Sequence, residues 1–136
     1  MKDFVVDNSV VLSWVFEDEH SKVSQSILNE LFKNQAYVPS LWPFELANAL
    51  YVAEKRGRIK EADSMTFIKN LKDLPICIEN NNFDNITKDI LALSRKHSIT
   101  VYDASYVELA LRKNLPLITF NKELIVAAKK IGLKLT

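Results

Sequence analysis

Short apolar runs alternate with longer amphipathic segments along most of this chain. The runs have the length of β-strands, and the segments between them have the length and periodicity of helices. Val23, Ile27 and Leu31, for example, recur at the four-residue spacing of one helix face. The alternation predicts an α/β fold in which a parallel sheet is covered by helices on both faces.

The predicted elements complete a five-stranded parallel sheet. The expected strands are residues 4–6, 37–38, 76–78, 117–118 and a terminal edge strand at 133–135. The expected helices are residues 10–16, 21–33, 43–56, 60–72, 84–97 and 100–113, followed by a last helix that Asn121 opens. Pro43 suits the start of its helix, and Gly57 follows the end of the same helix.

The size and composition of the chain predict a single domain over residues 1–136. The 136 residues are 48% hydrophobic and 26% charged, with two glycines and four prolines, so no low-complexity linker divides them. No uncharged stretch approaches the roughly 20 residues that a membrane helix needs. The first residues lack the apolar region of a secretory signal. We therefore expect a cytoplasmic protein without membrane association.

Three acidic residues occupy equivalent places in this pattern. Asp7, Glu45 and Asp103 each follow a short apolar run or lie in the predicted first turn of a helix. Ligands of open parallel sheets bind beyond the carboxyl ends of the strands, where the following helices begin. Carboxylates that share such a site oppose one another's ionisation unless a cation neutralises them. The pattern predicts a pocket for Mg²⁺ or Mn²⁺ and phosphodiester cleavage as its chemistry.

Each acid also has a purely structural explanation. Asp103 lies three residues after Thr100, as in a capping box, and Glu45 complements the positive end of its helix dipole. Asp7 is less easily explained in this way, because it ends an apolar strand and is followed by two side chains that can orient it by hydrogen bonding. Three independent caps explain the whole set less well than one pocket does.

Four segments of the chain, taken in order, resemble the four motifs of PIN-domain ribonucleases. They are residues 4–9 (FVVDNS), 39–50 (PSLWPFELANAL), 102–110 (YDASYVELA) and 116–121 (PLITFN). Within that family, the likeness is to the VapC-type toxins of toxin–antitoxin pairs. The resemblance implies a PIN-like three-layer sandwich and a metal-dependent endoribonuclease that is the toxin of a type II system. It also implies an RNA substrate, a cognate antitoxin and a homodimer.

The resemblance assigns catalytic and metal-binding roles to particular residues. Asp7, Glu45 and Asp103 would bind Mg²⁺ or Mn²⁺ directly or through water. Asn121 would be the fourth ligand, although the family usually has an acid there. An amide oxygen can coordinate a cation, but the pocket loses one negative charge, so a second metal site is in question. A helix N-cap is an equally good interpretation of Asn121.

Three further residues match positions that support the acids by hydrogen bonding. Ser9 and Thr119 match two of them, and Asn48 matches the third. Because Asn48 follows Glu45 by three residues, the two lie on the same helix face. An ordinary surface amide is the alternative for Asn48.

The expected reaction is hydrolysis by a metal-activated water. Mg²⁺ keeps several waters while a few carboxylates and substrate phosphate oxygens hold it. Two ions about 4 Å apart can stabilise both the attacking and the leaving oxygen of an in-line displacement. Histidine has no necessary role, and His20 and His97 both fall outside the predicted pocket.

The charge distribution adds little support for RNA binding. The net charge is +1, and four basic pairs lie near predicted helix C-termini, where they complement the dipole. These pairs are Lys55-Arg56, Arg95-Lys96, Arg112-Lys113 and Lys129-Lys130. Lys122 is the basic residue expected near the pocket. A second subunit would have to supply further basic surface.

Two other classes of function fit parts of the pattern. A catalytically weak PIN scaffold that chiefly binds an antitoxin or RNA would have the same fold, and Asn121 favours it. A receiver or phosphatase-like domain also places an aspartate after its first strand. Against that class, Asn8 and Ser9 rather than a second acid follow Asp7, and no lysine ends the fourth predicted strand.

Overall fold

A parallel four-stranded sheet forms the centre of the molecule. The computed structural model describes residues 2–135. The strands are β1 Phe4–Val6, β2 Ala36–Pro39, β3 Ile76–Glu79 and β4 Leu117–Ile118. Their order in the sheet is β3-β2-β1-β4, and all neighbours are parallel. The predicted α/β fold is confirmed.

The prediction of a fifth strand is wrong. Within residues 133–135, only Leu135 is bridged to the sheet, through one parallel pair with Leu117, whose N–H donates to the Lys134 carbonyl over 3.0 Å. β4 is two residues long, so its outer edge offers too little length for a continuous ladder. The apolar alternation at 133–135 is explained instead by packing of Leu133 and Leu135 against the core.

Seven α-helices connect and cover the strands within residues 2–135. They are α1 Asn8–Leu12, α2 Lys22–Glu30, α3 Trp42–Lys55, α4 Glu61–Lys72, α5 Leu91–His97, α6 Val101–Lys113 and α7 Lys122–Ile131. A 3-10 turn spans Glu17–Glu19, and a π-helical segment, Asn85–Ile90, leads into α5. None of the α-helices is both long and apolar enough to cross a bilayer.

The first helix differs most from its predicted bounds. It begins at Asn8, directly after the extended residue Asp7, and ends at Leu12 rather than continuing to Phe16. The Trp14 indole N–H donates to the Ser24 carbonyl over 2.9 Å, so the chain after α1 is fixed to α2 instead of extending the helix.

The two faces of the sheet have separate hydrophobic cores. Phe4 and Val6 belong to the core beneath α1 to α4, whereas Val5 belongs to the core beneath α5 to α7. All three β1 side chains are fully buried, which is the expected burial for a central strand between two helical layers. The predicted three-layer arrangement is confirmed.

The candidate functional residues lie at the edge of the sheet where the strands end and the following helices begin. The Asp7 N–H donates to the Ile118 carbonyl over 3.0 Å, so the chain is held to the end of β4 as it leaves β1. Asp7 then leads into α1, and Thr119 follows the end of β4. Helices α3, α6 and α7 begin with Glu45, Asp103 and Glu123 in their first turns.

Candidate active site

Asp7 is held by two hydroxyl groups from different connections. Its carboxylate is buried, and Oδ2 accepts hydrogen bonds from Ser9 Oγ at 2.6 Å and from Thr119 Oγ1 at 2.8 Å. Within residues 2–135, Oδ1 accepts no side-chain hydrogen bond. One carboxylate oxygen is therefore fixed, and the other remains available for a ligand.

Backbone amides orient these two hydroxyls in turn. Ser9 Oγ accepts from the Phe120 N–H at 3.1 Å, and Thr119 Oγ1 accepts from the Asn121 N–H at 3.0 Å. The segment after β1 and the segment after β4 are thus linked around the Asp7 carboxylate. The structure places Ser9 and Thr119 where the sequence predicted supporting side chains.

Glu45 is bound to a buried tyrosine. The Tyr106 hydroxyl donates to Glu45 Oε1 over 2.6 Å and accepts from the backbone amide of Asn8. Tyr106 is fully buried, and burial raises its pKa, as do the nearby charges of Glu45 and Asp7. The phenol therefore stays protonated and acts as a fixed hydrogen-bond donor to Glu45.

The carboxylate of Asp103 is not used as a helix cap. The Asp103 backbone N–H donates to Thr100 Oγ1 over 3.0 Å, so the helix is capped by the threonine alone. No hydrogen bond joins the Asp103 carboxylate to another described side chain or amide in residues 2–135. The capping-box explanation that the sequence left open does not account for this carboxylate.

The three predicted acids lie close enough together that the charge of one changes the pKa of another. Burial raises the pKa of Glu45; the hydrogen bond from Tyr106 opposes this increase, and the charges of Asp7 and Asp103 add to it. Burial also raises the pKa of Asp103, with further increases from Asp7 and Glu123. Such mutual repulsion is the expected electrostatic property of clustered carboxylates.

Glu123 is a member of this cluster that sequence reasoning missed. It is exposed in the first turn of α7, and its charge raises the pKa of Asp103. The signal was present in the sequence, because an acid in the first turn of a helix at this edge was the criterion that selected Glu45. Tyr106 was missed as well, although it follows Asp103 by three residues and so lies on the same side of α6.

Asn121 acts as a helix cap in this structure. Its Oδ1 accepts from the Glu123 N–H at 3.0 Å and from the Leu124 N–H at 3.3 Å. Because a carbonyl oxygen has two lone pairs, these bonds leave it little capacity for a metal ion. Asn48 is exposed on α3, and no hydrogen bond joins its side chain to the acids among residues 2–135.

The donor set suits a partly hydrated magnesium or manganese ion. The ligands available are carboxylate oxygens, which hard divalent cations prefer. Nevertheless, no three acidic, histidine or cysteine side chains within residues 2–135 lie close enough together to hold a single ion. Mg²⁺ is commonly held by one or two carboxylates, with waters and substrate phosphates as its other ligands. The site fits an ion held in that way and does not form a closed protein cage.

Comparison with known families places almost the whole chain in one group. Residues 4–130 match the family described as the PIN domain. Ribonuclease VapC3 of Pyrobaculum aerophilum is 28% identical over 120 residues, which are 88% of this chain and 90% of that protein. The family match over residues 4–130 includes all four strands of the sheet and the four acids Asp7, Glu45, Asp103 and Glu123.

Solved structures share the fold at low sequence identity. VapBC2 from Rickettsia felis, bound to a DNA fragment from its promoter, has a TM-score of 0.71 at 15% identity, with 100% of this chain and 98% of that chain covered. VapBC-1 from nontypeable Haemophilus influenzae has a TM-score of 0.63 at 15% identity, with 100% and 97% covered. These similarities establish the fold.

Proposed function

The chain belongs to the PIN-domain family, and from that membership we propose that it is a metal-dependent endoribonuclease, the toxin of a type II toxin–antitoxin system. The observation that carries the proposal is the electrostatic cluster of Asp7, Glu45 and Asp103 at the carboxyl edge of the sheet. The similarity to a protein named ribonuclease VapC3 supports RNA as the substrate. Cleavage of RNA in the cytoplasm is the corresponding cellular role.

Each acid has a distinct task in this proposal. Asp7 and Asp103, whose carboxylates retain free oxygens, would hold Mg²⁺ or Mn²⁺, with Glu45 and Glu123 contributing through water. When bound, such an ion polarises the phosphodiester and lowers the pKa of water. Ser9 and Thr119 keep Asp7 in one orientation. Asn121 would remain the N-cap of α7. Direct contact with an ion would require its Oδ1 to give up the hydrogen bonds from the α7 amides.

Glu45 is suited to accept the proton of the attacking water. Burial raises the pKa of Glu45 in the metal-free protein, and a carboxylate with a raised pKa is a stronger base. Tyr106 occupies Oε1, so Oε2 is the oxygen available for the proton. Water would add to phosphorus as the bond to the leaving ribose oxygen breaks, and that oxygen would take up a proton from solvent to give a ribose hydroxyl and a phosphate monoester. No covalent enzyme intermediate is needed.

A cognate antitoxin and a second copy of the chain are the proposed protein partners. The similar solved structures are named as VapBC assemblies, which supports an antitoxin. The net charge of +1 supplies little general attraction for RNA. A homodimer would bring additional basic surface to each site.

A catalytically weak scaffold that chiefly binds an antitoxin or RNA is the second candidate. The observation that favours it is Asn121, which gives the pocket no fourth charge and whose oxygen is engaged by α7. The scaffold and the nuclease predict the same fold and differ in metal-dependent turnover.

Cleavage of RNA by the purified chain tests both candidates. We expect cleavage in Mn²⁺ or Mg²⁺, none in chelator, and loss to background in Asp7→Asn and Asp103→Asn. Asp73→Asn is the matched control, because Asp73 is exposed where α4 leads into β3, at the opposite edge of the sheet. Undiminished cleavage by both site variants would refute the assignment, and a folded wild type without cleavage in either metal would favour the scaffold.

A further inference from the structure

The exposed face of α3 carries an unusual series of side chains that begins beside Glu45. Phe44 is 83% exposed and Tyr51 is 57% exposed, although large aromatic side chains usually bury most of their surface. Asn48 and Lys55 are also exposed. We call these four residues, Phe44, Asn48, Tyr51 and Lys55, the α3 stripe.

Helical geometry places the stripe in a line leading away from the acids. The spacings of four, three and four residues keep the side chains on one face, and the line is about 16 Å long. Lys55 Nζ lies 5.6 Å from the centre of the Tyr51 ring. The opposite face of α3 is buried through Trp42, Leu46 and Leu50, so the helix is a firm support for the stripe.

Exposed rings also precede Asp103 and the helix cap Asn121 in the sequence. Tyr102, which precedes Asp103, is 63% exposed, and Phe120, which precedes Asn121, is 38% exposed. Single exposed apolar side chains are common and need no explanation. Here, three helix entries at the same edge each present a ring next to a candidate site residue. Because an exposed ring occurs at all three of these helix starts, we associate the rings with the function of the site.

We propose that the α3 stripe binds unpaired nucleotides of the RNA next to the cleaved bond. Phe44 and Tyr51 stack on separate bases, Asn48 hydrogen-bonds between them, and Lys55 contacts a phosphate. This inference rests on the proposed nuclease function and deepens it by naming the surface of this chain that would hold the RNA next to the cleaved bond.

Stacking on the exposed rings would supply affinity for RNA that the charge of this chain does not supply. The chain has a net charge of only +1, so general electrostatic attraction for the RNA backbone is weak. Base–aromatic stacking does not depend on charge and is a major source of affinity for single-stranded nucleic acids. Bases within a duplex are already stacked on both faces, so the rings require unpaired RNA.

The composition of the stripe favours RNA over a protein partner. Its two rings are separated by an amide and followed by a cation, so they do not form one continuous apolar patch. None of its four members is acidic, and the carboxylates of α3, at Glu45 and Glu54, are half-buried beside it. An aromatic series that ends in a positive charge is complementary to bases joined by phosphates.

Binding of a labelled single-stranded RNA of mixed sequence tests the stripe, with Ca²⁺ replacing Mn²⁺ to suppress cleavage. We expect Phe44→Ala and Tyr51→Ala each to weaken binding about fivefold to a hundredfold. Phe32→Ala is the matched control, because Phe32 is 84% exposed in the segment between α2 and β2, at the opposite edge. The control should bind like the wild type.

Two further comparisons separate stacking from a general structural effect. Phe44→Tyr and Tyr51→Phe keep the rings and should retain wild-type affinity. An RNA with one abasic nucleotide should bind the wild type more weakly when the missing base is the one that contacts Phe44. The same RNA should bind Phe44→Ala no more weakly than intact RNA does.

Unchanged RNA affinity in both alanine variants would overturn the inference. If those variants bind RNA normally but sediment as a smaller species, the stripe is instead a contact between copies of the chain, and the inference is equally wrong. Normal cleavage by wild type and both variants leaves the proposed nuclease intact while the stripe fails. Absence of binding and cleavage by the wild type refutes both.

Discussion

The hydroxyl of Tyr106 joins three parts of the candidate site through one buried atom. It accepts from the Asn8 amide at the start of α1 and donates to Glu45 on α3, while its ring is packed in the core beneath α6. A hydrogen bond to the ionised form of a carboxyl group lowers its pKa. Tyr106 thus keeps Glu45 more ionised than burial and the neighbouring acids alone would allow.

Removal of that hydroxyl should affect both stability and ionisation. In Tyr106→Phe, Glu45 and the Asn8 amide lose their partner, so we expect the free energy of unfolding to fall by about 1–3 kcal/mol. We also expect the pKa of Glu45 to rise further, because the one contribution that lowers it is lost. Urea denaturation measures the first effect, and a carboxyl NMR titration in chelator measures the second.

Tyr102→Phe is the control for this substitution. Tyr102 is 63% exposed, and no described partner in residues 2–135 hydrogen-bonds its hydroxyl. Its variant should unfold like the wild type. A Glu45 titration that is the same in Tyr106→Phe and wild type would show that the hydrogen bond does not set the ionisation of the site.

The sequence predicted the acids of this site but not their partners. Asp7, Glu45 and Asp103 could be grouped because parallel topology brings strand ends and helix starts to one edge. The bond between Tyr106 and Glu45 joins residues 61 positions apart, and no local pattern specifies such a contact. The sequence could not decide whether Asn121 is a helix cap or a metal ligand, because both roles require a side-chain oxygen at the start of a helix.

A chain of polar side chains connects elements behind the site. The Ser40 hydroxyl, after β2, donates to Asn81 Oδ1 over 2.9 Å, and Asn81 donates to Asn85 Oδ1 over 2.7 Å. Asn85 in turn donates to Glu108 Oε1 over 2.8 Å. The loops that follow β2 and β3 are thereby linked to α6, the helix that carries Asp103.

Asn85→Ala should weaken the molecule through Glu108. That glutamate is 6% exposed, its Oε2 has no partner among the described residues, and its Oε1 would keep only the ion pair with Arg112 at 2.8 Å. We expect the free energy of unfolding to fall by about 1–3 kcal/mol in urea. Gln25→Ala removes an exposed side-chain hydrogen bond, to Asn29, and is the control. Equal losses in the two variants would contradict a special role for the buried link.

The same segment shows how far periodicity predicts elements. The sequence indicated one regular helix over residues 84–97, but its first part, Asn85–Ile90, is π-helical. Apolar spacing locates the buried side of a helix and does not resolve a local widening of its turns. For a similar reason, apolar alternation at 133–135 predicted a strand where only Leu135 is bridged. The four strands of the sheet were predicted because their apolar runs are bounded by turns and helix starts.

At the scale of the whole molecule, the clustered acids couple stability to pH and to metal ions. The pKa of Asp103 is raised by burial, Asp7 and Glu123. Its contribution to the stability of the metal-free protein is fully present below its ordinary pKa of about 3.9 and is lost as pH rises through the raised value. Metal-free Asp103→Asn should therefore melt above the wild type at pH 7, and the difference should shrink towards pH 4.

At neutral pH, Mn²⁺ should make the wild type melt above Asp103→Asn, the reverse of the metal-free order. An ion that binds only the folded protein adds about 2.7 kcal/mol of stability at a hundredfold excess over its Kd. Wild type should gain this increment, whereas Asp103→Asn, lacking a ligand, should gain less. Because bound carboxylates must be ionised, the stability gained from Mn²⁺ should also fall as pH decreases through the raised pKa values of Glu45 and Asp103.

Melting curves in chelator and in a Mn²⁺ series measure all of these effects, with Asp73→Asn as the surface control. Equal Mn²⁺ shifts in wild type and Asp103→Asn would remove Asp103 from the metal site, and no shift in the wild type would remove the metal site itself.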